Sequence, residues 1–209
     1  VQAAAVPVSA QTAWQILLEH AVSVGGEVDW ETAGKFWRGK RLLVTAASGG
    51  VGMWVVQLGR LLGAEVVGTC GGGNLDFVRS LGAEALDYRI VDLRGWAEDR
   101  EVDVVVDCVG GRALGDAWWT VKEGGVVLSI YQPPLMVKPE GFERVVRDVF
   151  FVMGPFGRQL GEISRLIEGG KCRGMVDSVW PLEQFEEAFK RLDGGHAKGK
   201  IVFDLSLNQ

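Results

Sequence analysis

The 209-residue sequence predicts an α/β fold in which a doubly wound parallel sheet carries helices on both faces. Three observations support that expectation. From Arg41 onward, short apolar runs alternate with helix-length stretches set off by glycine. The runs are apolar at successive positions, as strands buried on both faces of a parallel sheet must be. A glycine cluster, Gly49, Gly50 and Gly52, separates the first run from the stretch that follows it.

The elements follow in order. Small and apolar residues at Ala10, Ala13, Trp14, Leu17, Leu18 and Ala21 have helical spacing, and with Pro7 before them and Ser9 as cap they predict a helix over 9–22. RLLVTA (41–46) is the first strand and leads into a helix that closes near Gly63. AEVVGT (64–69) is the second strand, followed by a helix from Asn74. VDVVVDC (102–108), a helix near 112–122 and GGVVLSI (124–130) continue the alternation. A proline-bearing loop, 132–142, leads to VFFVM, a helix around 157–169, a short strand over Val176–Val179, a helix from Leu182 and a final strand, KIVFDL. No repeat or linker divides the chain, so one domain is expected over 1–209, with a leading helical segment at 1–35 and sheet and helices over 36–209.

Composition narrows the function. A formal charge of −5 with no run of Lys or Arg gives no footprint for nucleic acid or an anionic membrane. No apolar stretch approaches the roughly 20 residues of a membrane span, and the first residues lack the pattern of a signal peptide, so a cytoplasmic protein is expected. Cys70, Cys108 and Cys172 are far apart, and with only His20 and His196 they form no metal-binding motif; no metal is expected. Neither histidine has a carboxylate partner that the sequence can place. Asp103 and Asp107 share a strand face some 13 Å apart, at ~3.3 Å per residue, and are read as ending or capping the strand rather than as an acid pair. Trp118 and Trp119 belong to a set of eight tryptophans read mainly as core.

The chemistry is concentrated in RLLVTAASGGVGMWVVQLGRLLG. Here Ser48, Gly49, Gly50, Val51 and Gly52 form a turn from a buried strand into an amphipathic helix, and the next strand follows about 20 residues later. Glycine lets backbone approach a pyrophosphate, the free N–H groups at the helix start donate to it, and the helix dipole favours its charge. This is the dinucleotide-binding arrangement of a Rossmann-type sheet.

These segments, together with SLGAEALDYR, VDVVVDCVGG, EGGVVLSI and GGHAKGKIVFDL, resemble in order the cofactor domain of the medium-chain dehydrogenase/reductase superfamily. Within it, the likeness is to zinc-independent quinone oxidoreductases and enoyl reductases. The family's N-terminal GroES-like domain has no counterpart in this sequence. The resemblance implies cofactor contacts at Thr69, Cys70, Gly71 and Tyr88 on the adenosine side. On the nicotinamide side it implies Val109, Gly110, Ser129, Ile130, Phe151 and Val152, with Lys198 in the closing loop HAKGK. NADPH-preferring members place a serine and a lysine where this sequence has Gly71 and Gly73, and Arg79 stands nearby as another cation. No acidic residue ends the second strand, so the usual carboxylate for an NAD ribose is absent as well.

The resemblance implies NADP(H) over NAD(H), and hydride transfer to an activated alkene or quinone once a partner domain completes the site, with a small apolar substrate. It names no catalytic residue here. It also implies a homodimer through the edge of the last strand. Two other readings fit the same residues: a naturally truncated, repurposed relative without reductase activity that binds a small apolar molecule or catalyses a cofactor-independent reaction, and a non-catalytic dimeric scaffold or dinucleotide sensor.

Overall fold

The computed structural model describes residues 1–22 and 28–208 and contains the expected sheet. Six parallel strands, β1 (Arg41–Val44), β2 (Glu65–Cys70), β3 (Glu84–Asp87), β4 (Val102–Asp107), β5 (Val121–Ser129) and β6 (Arg147–Phe150), lie in the order β3-β2-β1-β4-β5-β6. The order reverses between β1 and β4, which opens a crevice at their C-terminal ends, where such sheets bind ligands. The helices are α1 (Pro7–Gln15), α2 (Trp30–Trp37), α3 (Gly52–Leu61), α4 (Leu75–Ser80), α5 (Leu93–Trp96), α6 (Gly111–Trp118), α7 (Gly157–Glu168) and α8 (Phe185–Asp193). None is long and apolar enough to cross a membrane.

Side-chain alternation along the strands fills two cores. Leu42 and Val44 of β1 point into one with Trp14, Leu17, Trp54 and Val78, while Leu43 points into the other with Leu114, Trp118 and Phe142. The tryptophan pair divides accordingly: Trp118 is fully buried, whereas Trp119 is partly buried beneath the guanidinium of Arg94. In the first core Trp37 also anchors α2 to the leading helix, donating from Nε1 to the Leu17 carbonyl at 2.9 Å.

The leading helix differs from the sequence expectation at both ends. It begins at Pro7, whose fixed φ and missing N–H suit the first helical position, so Ser9 lies inside it and caps nothing. After Gln15 it continues as a π-helical turn, Ile16–His20. Part of the predicted leading segment, 23–27, lies outside the described residues. The strand β3 was not anticipated, because four residues with one buried side chain leave no pattern. The last strand, β8 (Lys200–Phe203), forms where expected but outside the main sheet. It pairs in parallel with β7 (Val176–Trp180) as a separate two-stranded sheet, and the free edges of the main sheet are β3 and β6.

One buried carboxylate fastens the strands at the crevice. Asp107, at the end of β4, is fully buried. Its Oδ1 accepts from Thr45 Oγ1 (2.7 Å) and from the Val109 N–H (3.3 Å), and its Oδ2 accepts from Ser129 Oγ (2.8 Å) and from the Gly110 N–H (2.9 Å). Asp103, at the other end of β4, takes Lys40 (3.1 Å), Lys122 (2.5 Å) and the Arg41 N–H (2.8 Å). Both acids therefore serve the strand, as expected. Asp107→Ala strands three buried donors, so the unfolding free energy should fall by about 3 kcal/mol, measured by denaturant titration. A loss under ~0.5 kcal/mol would show that the network contributes little.

Candidate functional site

The site begins where β1 ends. Ala46 takes a left-handed conformation (φ 49°), which turns the chain back so that its carbonyl accepts from the Gly49 N–H at 2.8 Å. The helix α3 then starts directly over that carbonyl. A Cβ on Gly52 would overlap the Ala46 carbonyl and Ala47, so only glycine lets helix and strand approach this closely. Within the turn, the N–H groups of Gly50 and Val51 have no acceptor among the described residues and stand at the positive end of a ten-residue helix.

A cation faces the same turn. A Cβ built on Gly50 would lie 3.0 Å from Lys200 Nζ and 3.3 Å from Ser9 Oγ. Lys200 has no carboxylate partner among the described residues, and burial lowers its pKa from the ordinary 10.5. Ser9 is 1% exposed and its hydroxyl is without a hydrogen-bond partner. The loop carrying Lys200 is fixed to the turn, with the Gly199 N–H donating to the Ser48 carbonyl at 3.1 Å. Two free N–H groups, a desolvated ammonium and a side-chain-free backbone form a cradle for a phosphate-sized anion.

Beside the cradle lies a cavity of about 260 Å³ whose lining includes Ser48, Thr69, Cys70, Gly71, Tyr88 and Val109, six of the residues singled out from sequence. The other predicted residues are distributed differently. Gly110 is the N-cap residue of α6, and its N–H donates to Asp107. Ser129 is buried and its hydroxyl is committed to Asp107, while Ile130 packs on the core. Phe151 is buried against His20, with ring centroids 4.0 Å apart, and Val152 is 83% exposed. Lys198 uses its backbone N–H to bind Asp177 at 2.8 Å, and it is Lys200 that reaches the glycine turn. Gly73 faces open space, and Arg79 is paired with Asp76 at 2.9 Å.

Three participants were missed by the sequence reading. Lys200 was legible as the second lysine of HAKGK, but choosing between the two requires the strand register. Asn74 lines the cavity and donates to Ser48 Oγ at 3.1 Å. Arg89, next to Tyr88, points to His196 across the cavity mouth. No cysteine is poised as a nucleophile: burial raises the pKa of Cys70, of Cys108, and of Cys172 to about 11. Among the described residues, no three His, Cys, Asp or Glu side chains gather as metal ligands.

Comparison with known proteins agrees with this geometry. Residues 81–203 match the family described as zinc-binding dehydrogenase. A "Probable zinc-binding oxidoreductase, mitochondrial" of Arthroderma benhamiae is 46% identical over 207 residues, 96% of this chain and 61% of its own length. A chloroplast envelope quinone oxidoreductase homolog of Arabidopsis thaliana is 34% identical over 212 residues, 97% of this chain and 61% of its own. The solved quinone oxidoreductase from Coxiella burnetii superposes with a TM-score of 0.82 at 27% identity, over 98% of this chain and 61% of that one. The chain thus spans about three fifths of the length of the relatives it matches.

Two outcomes follow from the cradle. Gly50→Asp puts a carboxylate where the anion belongs and within reach of Lys200. It should abolish dinucleotide binding in calorimetry while leaving the circular-dichroism spectrum intact; unchanged affinity would reject the cradle. Because Lys200 attracts a phosphate only when protonated and its pKa is lowered, affinity should decline as pH rises, with the decline beginning below 10.5. In Lys200→Met the same titration should be flat over that range.

Proposed function

The chain belongs to the zinc-binding dehydrogenase family, and from that membership we propose that it is the nicotinamide-dinucleotide-binding portion of an oxidoreductase that reduces a quinone or an activated alkene. The observation that carries this reading is the glycine turn: two N–H groups without acceptors, facing a lysine without a carboxylate partner among the described residues, at the start of a helix. That combination suits a pyrophosphate and has no evident structural purpose of its own.

In this reading the Gly50 and Val51 N–H groups and the Lys200 ammonium hold the pyrophosphate. The neighbouring cavity takes the adenosine, with the Tyr88 ring and Gly71 at its mouth. The nicotinamide end extends toward Val109, Gly110 and Ile130, at the C-terminal ends of β4 and β5. When bound, the dinucleotide supplies a hydride. What the chain's own residues contribute is position: the Asp107 network fixes the ends of three strands, and an error of 1 Å there is costly to a transfer reaction. Val109 (42% exposed), Tyr131 (65%) and Val152 (83%) leave an apolar border at this end of the sheet, which favours a small apolar acceptor over a charged one.

Of the two nicotinamide dinucleotides, NADP(H) is the proposed ligand. The strand β2 ends at Cys70 and no acidic residue follows it before Asp76; the carboxylate that does stand beside this turn, Asp87 of β3, faces Gly72 and has one oxygen committed to the Arg89 N–H. Calorimetric titration with NADPH and with NADH tests the reading: micromolar binding of at least one is expected, followed by oxidation of NADPH at 340 nm when a benzoquinone is added to the full-length protein. No binding of either at millimolar concentration would overturn it.

A further inference from the structure

Directly after β3 the chain crosses the end of β2. The Tyr88 N–H donates to the Cys70 carbonyl at 3.2 Å, and the Arg89 N–H donates to Asp87 Oδ1 at 3.0 Å, which fixes how the turn presents its two side chains. A Cβ built on Gly71 would lie 3.8 Å from Tyr88 Cε1 and 3.9 Å from Arg89 Nη2. The guanidinium therefore stands beside the first position after β2, where a sheet of this order places the adenosine ribose.

Three features make Arg89 a reader of anions rather than a solvated surface charge. Among the described residues it has no carboxylate salt-bridge partner; its Nη2 donates instead to His196 Nε2 at 3.0 Å. Arginine can only donate, so in this contact Nε2 is the acceptor, and no carboxylate among the described residues pairs with the guanidinium. The side chain also lies by the Tyr88 ring, with Cζ 5.6 Å from the centroid, so it is braced on two sides. Arg79, the other nearby cation, is occupied by Asp76.

We propose that Arg89, braced by His196 and Tyr88, binds the 2′-phosphate of an adenosine ribose and so selects 2′-phosphorylated dinucleotides; this rests on the adenosine reading of the cavity given above. Gly71 leaves the room, and the guanidinium supplies from β3 the charge that the glycine run after β2 does not. A planar guanidinium binds phosphate with two parallel N–H donors, and a charged hydrogen bond of this kind is worth one to two powers of ten in affinity. Asp87 limits the effect. Its Oδ2 lies 2.6 Å from where a Gly72 Cβ would be, close enough to oppose the 2′-phosphate, so the lower part of that range is expected.

The test is calorimetry of NADPH, NADH, adenosine 2′,5′-bisphosphate and 5′-AMP on the wild-type chain, Arg89→Ala and Arg89→Lys. Arg89→Ala should weaken NADPH and the bisphosphate about tenfold and leave NADH and 5′-AMP within twofold; Arg89→Lys should recover part of the loss. Since Arg89 is an exposed side chain, unchanged NADH binding also reports an intact fold. Equal losses for the phosphorylated and unphosphorylated ligands, or no loss for NADPH, would overturn the assignment while leaving the dinucleotide site standing. A wild-type chain that binds none of the four ligands would overturn both.

Discussion

The close approach of α3 to the end of β1 is the constraint on which the site depends. A helix that starts directly over a strand buries its first turn without room for a capping side chain. The chain meets this with a left-handed Ala46, a glycine at 52 where any Cβ would strike the Ala46 carbonyl, and a turn held by one short hydrogen bond. The consequence is electrostatic. Donors at the helix start that a cap would otherwise satisfy are left facing outward, and an anion is the complement they lack. Partial burial of Lys200 beside them adds to the same deficit, since a half-buried lysine without a carboxylate partner among the described residues is relieved by an anionic ligand.

Asp107 does the opposite work nearby. It is a buried carboxylate at the end of β4 whose four hydrogen bonds leave nothing for a ligand, and its partners come from the ends of β1 and β5 together with the turn into α6. The crevice thus has one wall whose polar groups are fully satisfied and another whose polar groups are not. Rigidity resides in the first and recognition in the second. Ser129 shows the difference: it lies at the strand end where ligand contacts are expected, yet its hydroxyl is committed to the wall.

Fold and site were legible in the sequence to different degrees, for physical reasons. Strands buried on both faces and the Gly49–Gly52 spacing record backbone requirements, so β1, β2, β4, β5 and the tight turn from β1 into α3 could be read directly. The half-buried β3 records little, and the separation of β7 and β8 into their own sheet is a matter of long-range pairing that short apolar runs do not encode. Side-chain participants were harder still. Lys198 and Lys200 are equivalent in composition, and only the bridge between Gly199 and Gly49 decides which one reaches the turn. Gly73, expected where a phosphate-binding lysine belongs, looks into open space, whereas Asn74 turns inward to Ser48; one residue of offset in a glycine run separates the two.

The small sheet ties the two cations of the site together. Asp177, on β7, takes the Arg191 guanidinium through two bonds of 2.8 and 2.6 Å and also accepts from the Lys198 N–H at 2.8 Å. Arg191 in turn donates to the His196 carbonyl at 3.2 Å. One ion pair therefore sets the path of residues 196–200, and along that path lie His196, which braces Arg89, and Lys200, which faces the glycine turn. Arg89 itself comes from the far end of the main sheet, beside β3. A ligand that spans both cations would connect the β3 edge to β8 across the top of the sheet, so its binding energy would also hold the two sheets in register. In a chain of net charge −5, two cations without carboxylate partners among the described residues stand against the general field of the molecule. In the proposed complex Lys200 faces the pyrophosphate and Arg89 the 2′-phosphate of one dinucleotide, which is why the two positions are best understood as parts of one site.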